Sequence, residues 1–375
     1  MARTKSTSAP VDRPGRTGIQ RPPAEELHHD ELAALRADDA GPRPPGFALS
    51  LPAIRSFVLG DEARGIRRKM VCPPSLIERA MVTLATTRGL LLVGEPGTAK
   101  SLLSELLAAA ISGISTLTIQ GGASLTEDHI TYSWNYALLV SEGPSRRALV
   151  PAPLHVGMSR GLVVRFEEIT RCPLEVQDAL LSILSERVLA VPELEGEDGM
   201  VFARDGFNVI ATANTRDRGV NEMSSALKRR FSFETVFPIA DRDEELALVR
   251  EESTRLLARS GVPAPVDGDV LDVLVTTFRE LRSASADDGS GMERLSTAMS
   301  TAEAVSLAHA VGVRGWFLRG DAGQPSDIVE CLAGTAAKDS AEDLRKIRRY
   351  LDQRVAGRPG DAWQALHAAR HLLPG

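Results

Sequence analysis

Apolar positions fall into two regimes along this chain. From about residue 70 to residue 240, short apolar runs alternate with stretches of helical spacing; beyond Asp241 only helical spacing remains. The runs at Leu90–Val93, Ser115–Ile119, Phe207–Thr212 and Phe233–Phe237, and the run from Leu162 that ends in Glu167-Glu168, predict strands. Between them, Pro74–Thr87 places Leu76, Ile77, Ala80, Met81 and Leu84 on one side of a helix, and Pro173–Leu184 does the same with Val176, Ala179, Leu180 and Ile183. Tyr132, Trp134 and Tyr136 alternate like a hairpin strand, with Val150–Val156 following, and Val188–Val191 with Met200–Ala203 predicts a second hairpin. Helical segments are predicted near 242–259, 267–282, 296–311, 324–337, 340–354 and 361–372. Residues 1–48 carry the doublets Pro22-Pro23 and Pro44-Pro45 among Gly, Arg and Ser, and predict a flexible arm with a short helix inside it over Ala24–Ala37. Three units follow: the arm at 1–48, an α/β core at 49–240, and a helical region at 241–375.

The core is organised around Gly89–Leu106: a buried strand, a glycine-bearing loop, and a helix from Lys100 to about Ile111 with Leu102, Leu103, Leu106 and Ala110 on one face. This order points backbone N–H groups and a helix N-terminus at one spot, which favours a phosphate. Gly94 and Gly97 let the chain curl close to that anion, with Glu95, Pro96, Thr98 and Ala99 completing the loop. Lys100 would reach the β- and γ-phosphates of a nucleotide, Ser101 would bind Mg²⁺, and Leu102 follows on the helix. Ala99 stands where the common phosphate-loop pattern has its second glycine. The chain has 6 Lys against 38 Arg, so a lysine here suits a compact charge in a tight cradle. The plainer reading is a strand-turn-helix with a surface lysine.

Glu167 and Glu168 close an apolar strand 67 and 68 residues after Lys100. In that position the first acid would hold Mg²⁺ through water and the second would act as general base toward an attacking water; elsewhere, two adjacent glutamates are a solvated strand end. Asn214 ends the strand Phe207–Thr212 beside those acids and could orient the water, although Asn is also common in turns. Asn221 could cap a short helix through Leu227. The cluster Lys228-Arg229-Arg230 after it is either dipole compensation or an arginine reaching into a neighbouring subunit's nucleotide.

Composition narrows the classes. Charged residues at 25% and apolar residues at 43% are ordinary for a folded soluble chain. A net charge of −6 argues against broad nucleic-acid binding. Cys72, Cys172 and Cys331 form neither a metal spacing nor a disulfide framework. No apolar run approaches the roughly 18–20 residues of a membrane span. The N-terminus has no apolar segment behind Arg3 and Lys5, so a cytoplasmic location is expected.

Four motifs in fixed order resemble a AAA+ ATPase of the MoxR type: Gly94-Glu-Pro-Gly-Thr-Ala-Lys-Ser101, Phe166-Glu-Glu-Ile-Thr-Arg-Cys-Pro173, Val209-Ile-Ala-Thr-Ala-Asn214 and Ala226-Leu-Lys-Arg-Arg-Phe231. The resemblance implies an α/β P-loop NTPase core with a parallel sheet in AAA+ order. It also implies a helix-2 insert, a pre-sensor-1 hairpin insert and a helical lid. It assigns Lys100 and Ser101 to phosphate and Mg²⁺, Glu167 and Glu168 to the Walker B pair, Asn214 to sensor 1, and Arg230, or its neighbour Arg229, to a trans-acting finger. The sensor 2 arginine of the family falls on Ala or Glu near Leu295–Glu303, with Arg294 as a nearby substitute. ATP and Mg²⁺ are the implied cofactors. The implied assembly is a ring, as in hexameric remodelling motors, working with a von Willebrand factor A domain partner on a protein client, without membrane or nucleic acid. Alternatives are a nucleotide-gated scaffold with little turnover, a metal-chelatase-like motor subunit and a DNA-dependent motor.

Overall fold

The computed structural model describes residues 20–214, 223–283, 295 and 299–374. Two short helices, α1 (Ala24–Leu27) and α2 (His29–Asp38), precede α3 (Leu51–Leu59) and α4 (Pro74–Leu84). The central run is β1 (Gly89–Gly94), α5 (Lys100–Ser112) and β2 (Thr118–Gln120). An insert follows, with β3 (Tyr132–Trp134), α6 (Tyr136–Glu142) and β4 (Leu149–Pro151). Next come α7 (Pro153–Arg160), β5 (Val163–Glu167), α8 (Leu174–Ser185), the hairpin β6 (Val188–Ala190) and β7 (Met200–Phe202), then β8 (Asn208–Asn214), α9 (Ser225–Lys228) and β9 (Phe231–Thr235). The rest is helical: α10 (Arg242–Arg259), α11 (Gly268–Ser283), α12 (Thr301–Arg314), α13 (Pro325–Leu332), α14 (Ala341–Tyr350) and α15 (Asp361–Ala368).

Five strands form one sheet in the order β2-β5-β8-β1-β9, with every pairing parallel. Strand alternation sends successive residues to opposite faces. Leu90 and Leu92 join the core beneath α3, α4 and α5, while Leu91 joins Val164, Phe166 and Val209 under α7 and α8. A third core holds α10–α15 together. The α/β core with parallel sheet and the helical C-terminal region are therefore as expected. The two hairpins pair antiparallel, Tyr132 with Pro151 and Val188 with Phe202.

Several details differ from the sequence reading. Residues 20–48 are not a free arm: Leu32 and Leu35 are each 1% exposed and pack with α3 and α5. Their burial partners lie far along the chain, so composition alone reads them as a tail. The strand alternation stops at Trp134, because the Asn135 side chain accepts the Leu138 N–H at 3.3 Å and opens α6 at Tyr136. Pro173 precedes α8 as its cap rather than sitting in its first turn. The closing strand begins two residues early, at Phe231. Asn221 lies outside the described residues; Ser224 caps α9 through the Leu227 N–H at 3.2 Å.

Candidate functional site

Parallel pairing brings the C-terminal ends of β1, β5 and β8 together, since Gly94 is in register with Asn214 and Phe166 with Ala211. The phosphate-type loop leaves β1 there and feeds α5. Gly97 has φ +77° and Ala99 has φ +65°, so the alanine holds the left-handed conformation that a glycine would take freely. Lys100 is buried; its Nζ donates to the Glu95 carbonyl at 2.7 Å and to the Gly94 carbonyl at 3.2 Å. The loop is thus wrapped around its own lysine. Thr98 Oγ1 donates back to the Glu95 carbonyl at 3.0 Å.

The two predicted acids meet this loop. Ser101 Oγ donates to Glu167 Oε2 at 2.7 Å, joining the first helical turn to the end of β5. Glu167 also accepts from Ser104 Oγ at 2.6 Å, Thr212 Oγ1 at 2.8 Å and Arg165 at 2.9 Å. Burial pushes this carboxyl up, but the bonds from Ser104 and Ser101, the Arg165 charge and the Thr212 bond outweigh it, and its pKa sits below the usual carboxylate range. Glu168 has φ +54° and caps the turn after β5. A close approach by Gly121 braces that turn: its N–H donates to the Glu167 carbonyl at 2.7 Å, and a Cβ there would lie 2.2 Å from the Glu168 carbonyl oxygen. Two of the four non-glycine residues with positive φ among the described residues, Ala99 and Glu168, therefore sit at this one spot. Arg171 donates to Glu168 Oε2 at 2.7 Å.

Beside the loop is a cavity of about 290 Å³. It is lined by Thr98, Ala99 and Leu102, by Met70 and Val71, by Phe237 and Ile239, and by Thr301 and Val305 of α12. Leu27 and His28, from the supposed arm, line it too. Its place beside the loop and its mixed apolar and polar lining suit a nucleoside. Pro96 lies in a small cleft shared with Arg282 and Ser300.

Arg229 and Arg230 are elsewhere. The Arg230 carbonyl accepts from Gly89 N–H at 3.0 Å, at the start of β1, whereas the phosphate-type loop leaves its far end. Five residue steps of strand separate them, about 16 Å. The Arg230 side chain donates to Ser185 Oγ at 2.9 Å and to the Ala226 carbonyl at 3.0 Å; Arg229 is exposed. Arg294 lies outside the described residues. Glu303 lies in the first turn of α12, where its carboxylate accepts from Ser300 N–H at 2.9 Å and from Lys338 at 3.2 Å.

Sequence reasoning missed Arg165, Ser104 and Thr212. Each had a faint periodic signal: Arg165 is two residues before Glu167 on a strand, Thr212 two before Asn214, and Ser104 three after Ser101 on a helix.

A model described as AAA domain (dynein-related subfamily) matches residues 89–231, and one described as YehL-like AAA+ ATPase C-terminal domain matches residues 243–374. The chain is 63% identical over 361 residues to the uncharacterized protein YehL of Escherichia coli (strain K12), covering 96% of this chain and 99% of that protein. The chain belongs to the YehL-like AAA+ ATPases of the MoxR type. Chaperone MoxR1 of Mycobacterium tuberculosis is 28% identical over 215 residues, 57% of this chain and 52% of its own length. A crystal structure of NtrX from Brucella abortus in complex with ADP matches with TM-score 0.47 at 14% identity, over 80% of this chain and 64% of that one. The loop at Gly94–Ser101 and the acids at Glu167 and Glu168 lie at the C-terminal ends of β1 and β5, parallel strands on either side of β8. Among the described residues, no helix is long and apolar enough to cross a membrane.

Proposed function

We propose that this chain hydrolyses ATP in a ring of like subunits and uses the cycle to remodel or assemble protein complexes. The observation that carries the reading is the 2.7 Å bond between Ser101 and Glu167, which joins two motifs 66 residues apart around an ionised carboxylate. The left-handed turns at Gly97 and Ala99 and the N-terminus of α5 make a cradle for the β- and γ-phosphates, and Lys100 exchanges its carbonyl partners for them. Hard oxygen donors at Ser101 and Glu167 suit Mg²⁺, which binds through few protein ligands together with nucleotide phosphates. Bound there, Mg²⁺ would neutralise charge on the phosphate oxygens. Glu168 takes the proton of the attacking water once Arg171 yields its oxygen, and Asn214 orients that water. The core spans residues 49–240 and the lid 241–375 in this reading.

The arginine pair supports the ring. Arg229 and Arg230 lie at the start of β1, the opposite end of that strand from their own loop, which suits a reach toward another subunit's nucleotide. An isolated subunit would then lack charge stabilisation worth about 10³–10⁵ in rate. A partner with a von Willebrand factor A domain fits the MoxR relationship, and the chaperone name of MoxR1 fits a protein client. The test is ATPase rate per subunit against protein concentration, for the natural chain and Glu168→Gln. Specific activity should rise with concentration and vanish in the variant while ATP still binds. No turnover at any concentration, with ATP binding intact, would instead favour a nucleotide-gated scaffold.

A further inference from the structure

Glu167 has no vacant position. A carboxylate offers about four lone-pair sites. Ser104 and Arg165 meet Oε1 at 2.6 and 2.9 Å, and Ser101 and Thr212 meet Oε2 at 2.7 and 2.8 Å. Three of these donors are neutral hydroxyls. The fourth is a guanidinium only 8% exposed, two residues away on the same face of β5. Arg165 is itself fixed at every nitrogen: Nε to Ser104 Oγ at 2.9 Å, one terminal nitrogen to the Ser115 carbonyl at 3.0 Å, the other to the Ser101 carbonyl at 3.1 Å. Burying such a pair is costly, and apolar residues of similar volume often stabilise as well or better. The pair therefore calls for a role beyond holding the sheet to α5.

We propose that Arg165 is a resident counter-ion that keeps a divalent cation off Glu167 until nucleotide phosphates arrive. This rests on reading Ser101 and Glu167 as the metal-side pair. Arg165 balances Glu167, and Arg171 at 2.7 Å balances Glu168. A lone cation would meet two neutralised acids and the nearby Lys100 charge. Phosphates reverse that balance. Only the two hydroxyls on Oε2 must then turn away, while Oε1 stays held by Arg165 and Ser104. Arg165 thus acts through Glu167 as a positioning residue, and it makes metal uptake conditional on nucleotide.

The experiment is titration of the full chain with Mn²⁺, read by electron paramagnetic resonance, with and without a non-hydrolysable ATP analogue. The natural chain should take up Mn²⁺ only with the analogue. Arg165→Met and Arg165→Gln should each bind Mn²⁺ without nucleotide at least about tenfold more tightly than the natural chain, a difference of about 1.4 kcal/mol. Arg165→Lys, which keeps the charge, should behave like the natural chain. Circular dichroism and analogue binding check folding; if Arg165→Met does not fold, Arg165→Gln retains a donor toward Glu167. Tight Mn²⁺ binding by the nucleotide-free natural chain overturns the proposal. So does no gain in a folded neutral variant whose analogue-dependent uptake is intact. Absence of Mn²⁺ uptake by the natural chain even with the analogue would overturn the metal-side reading itself, and the proposal with it.

Discussion

Ser300 packs directly on Gly97. A Cβ built at Gly97 would lie 2.0 Å from the Ser300 Cβ and 2.3 Å from its Oγ, so the start of lid helix α12 rests on the phosphate-type loop. Gly97→Ala therefore faces both this clash and a φ of +77° that disfavours any Cβ. Its nucleotide affinity should fall by about tenfold or more, measured with a fluorescent ATP analogue. Ser300→Gly removes the clash together with the side-chain cap of α12, whose Oγ accepts the Glu303 N–H at 3.2 Å, and glycine at a cap costs just a few tenths of a kcal/mol. The double variant should recover part of the loss. Strictly additive effects would mean that the lid does not bear on the loop.

Thr212 ties the two acids together. Its hydroxyl donates to Glu167 Oε2 at 2.8 Å and accepts the Glu168 N–H at 2.9 Å. Thr212→Val keeps the shape but loses both bonds. A hydrogen bond to a charged group contributes about 1.5–3 kcal/mol, so kcat should fall on the order of tenfold to a hundredfold. Because Thr212 meets the acids rather than the cradle, KM for ATP should stay within about threefold. Thr212→Ser should restore most of the rate. An equal loss in the serine variant would assign Thr212 to packing alone.

How much of this was legible follows from where each signal lies. The loop around Lys100 and the acids at Glu167 and Glu168 were readable because each is a short local pattern beside an apolar strand. The end of β8 at Asn214 was readable because an apolar run leads to it. Arg165 was not, since an arginine in a strand looks like a solvent-facing position until the fold sets it against Ser104 and Glu167. Leu27 and His28 were hidden by composition: a Pro-rich neighbourhood reads as a tail, and only α3 and α5 supply the surface that orders it. Element ends shifted by one to five residues: Asn135 opens α6, Ser300 caps α12 so that it begins at Thr301, and the expected strand Val150–Val156 stops at Pro151, with α7 beginning at Pro153.

His28 should make stability depend on pH. Burial, then the Lys69 charge, lowers its pKa to about 4 against the pull of Glu31, and its ring stands edge-on to Phe57 at 5.7 Å. The folded state thus binds this proton less readily than the unfolded chain, whose histidine titrates near 6.5. Stability from His28 is full above pH 6.5 and is lost as pH falls through about 4. The contribution is about 3 kcal/mol at most. His155 and His309 are lowered by burial too and add in the same direction. Urea unfolding from pH 7.5 to pH 4 should show a clearly shallower slope in His28→Gln. An unchanged slope would place the effect in the other two histidines.

Glu245 holds the lid together. It is 1% exposed and accepts from Arg279 at 2.6 Å, from Arg282 at 2.7 Å and from Thr301 Oγ1 at 2.6 Å, so one carboxylate joins α10, α11 and α12. Burial pushes it up, but the Arg282 bond and charge, with Thr301 and Arg279, bring it below its ordinary pKa, so it stays charged. Glu245→Gln keeps the shape and leaves two arginines facing a neutral amide. Removing one partner of a buried pair costs about 3–5 kcal/mol. The loss should stay local: amides in α10–α12 should exchange with solvent much faster, while those pairing β1 with β8 keep their protection. Arg282 also shares the cleft with Pro96 and Ser300, so the loosened lid should weaken nucleotide binding. Uniformly faster exchange across sheet and lid would show instead that the two cores unfold as one unit. Glu245 would then be a determinant of global stability rather than of the lid's hold on the loop.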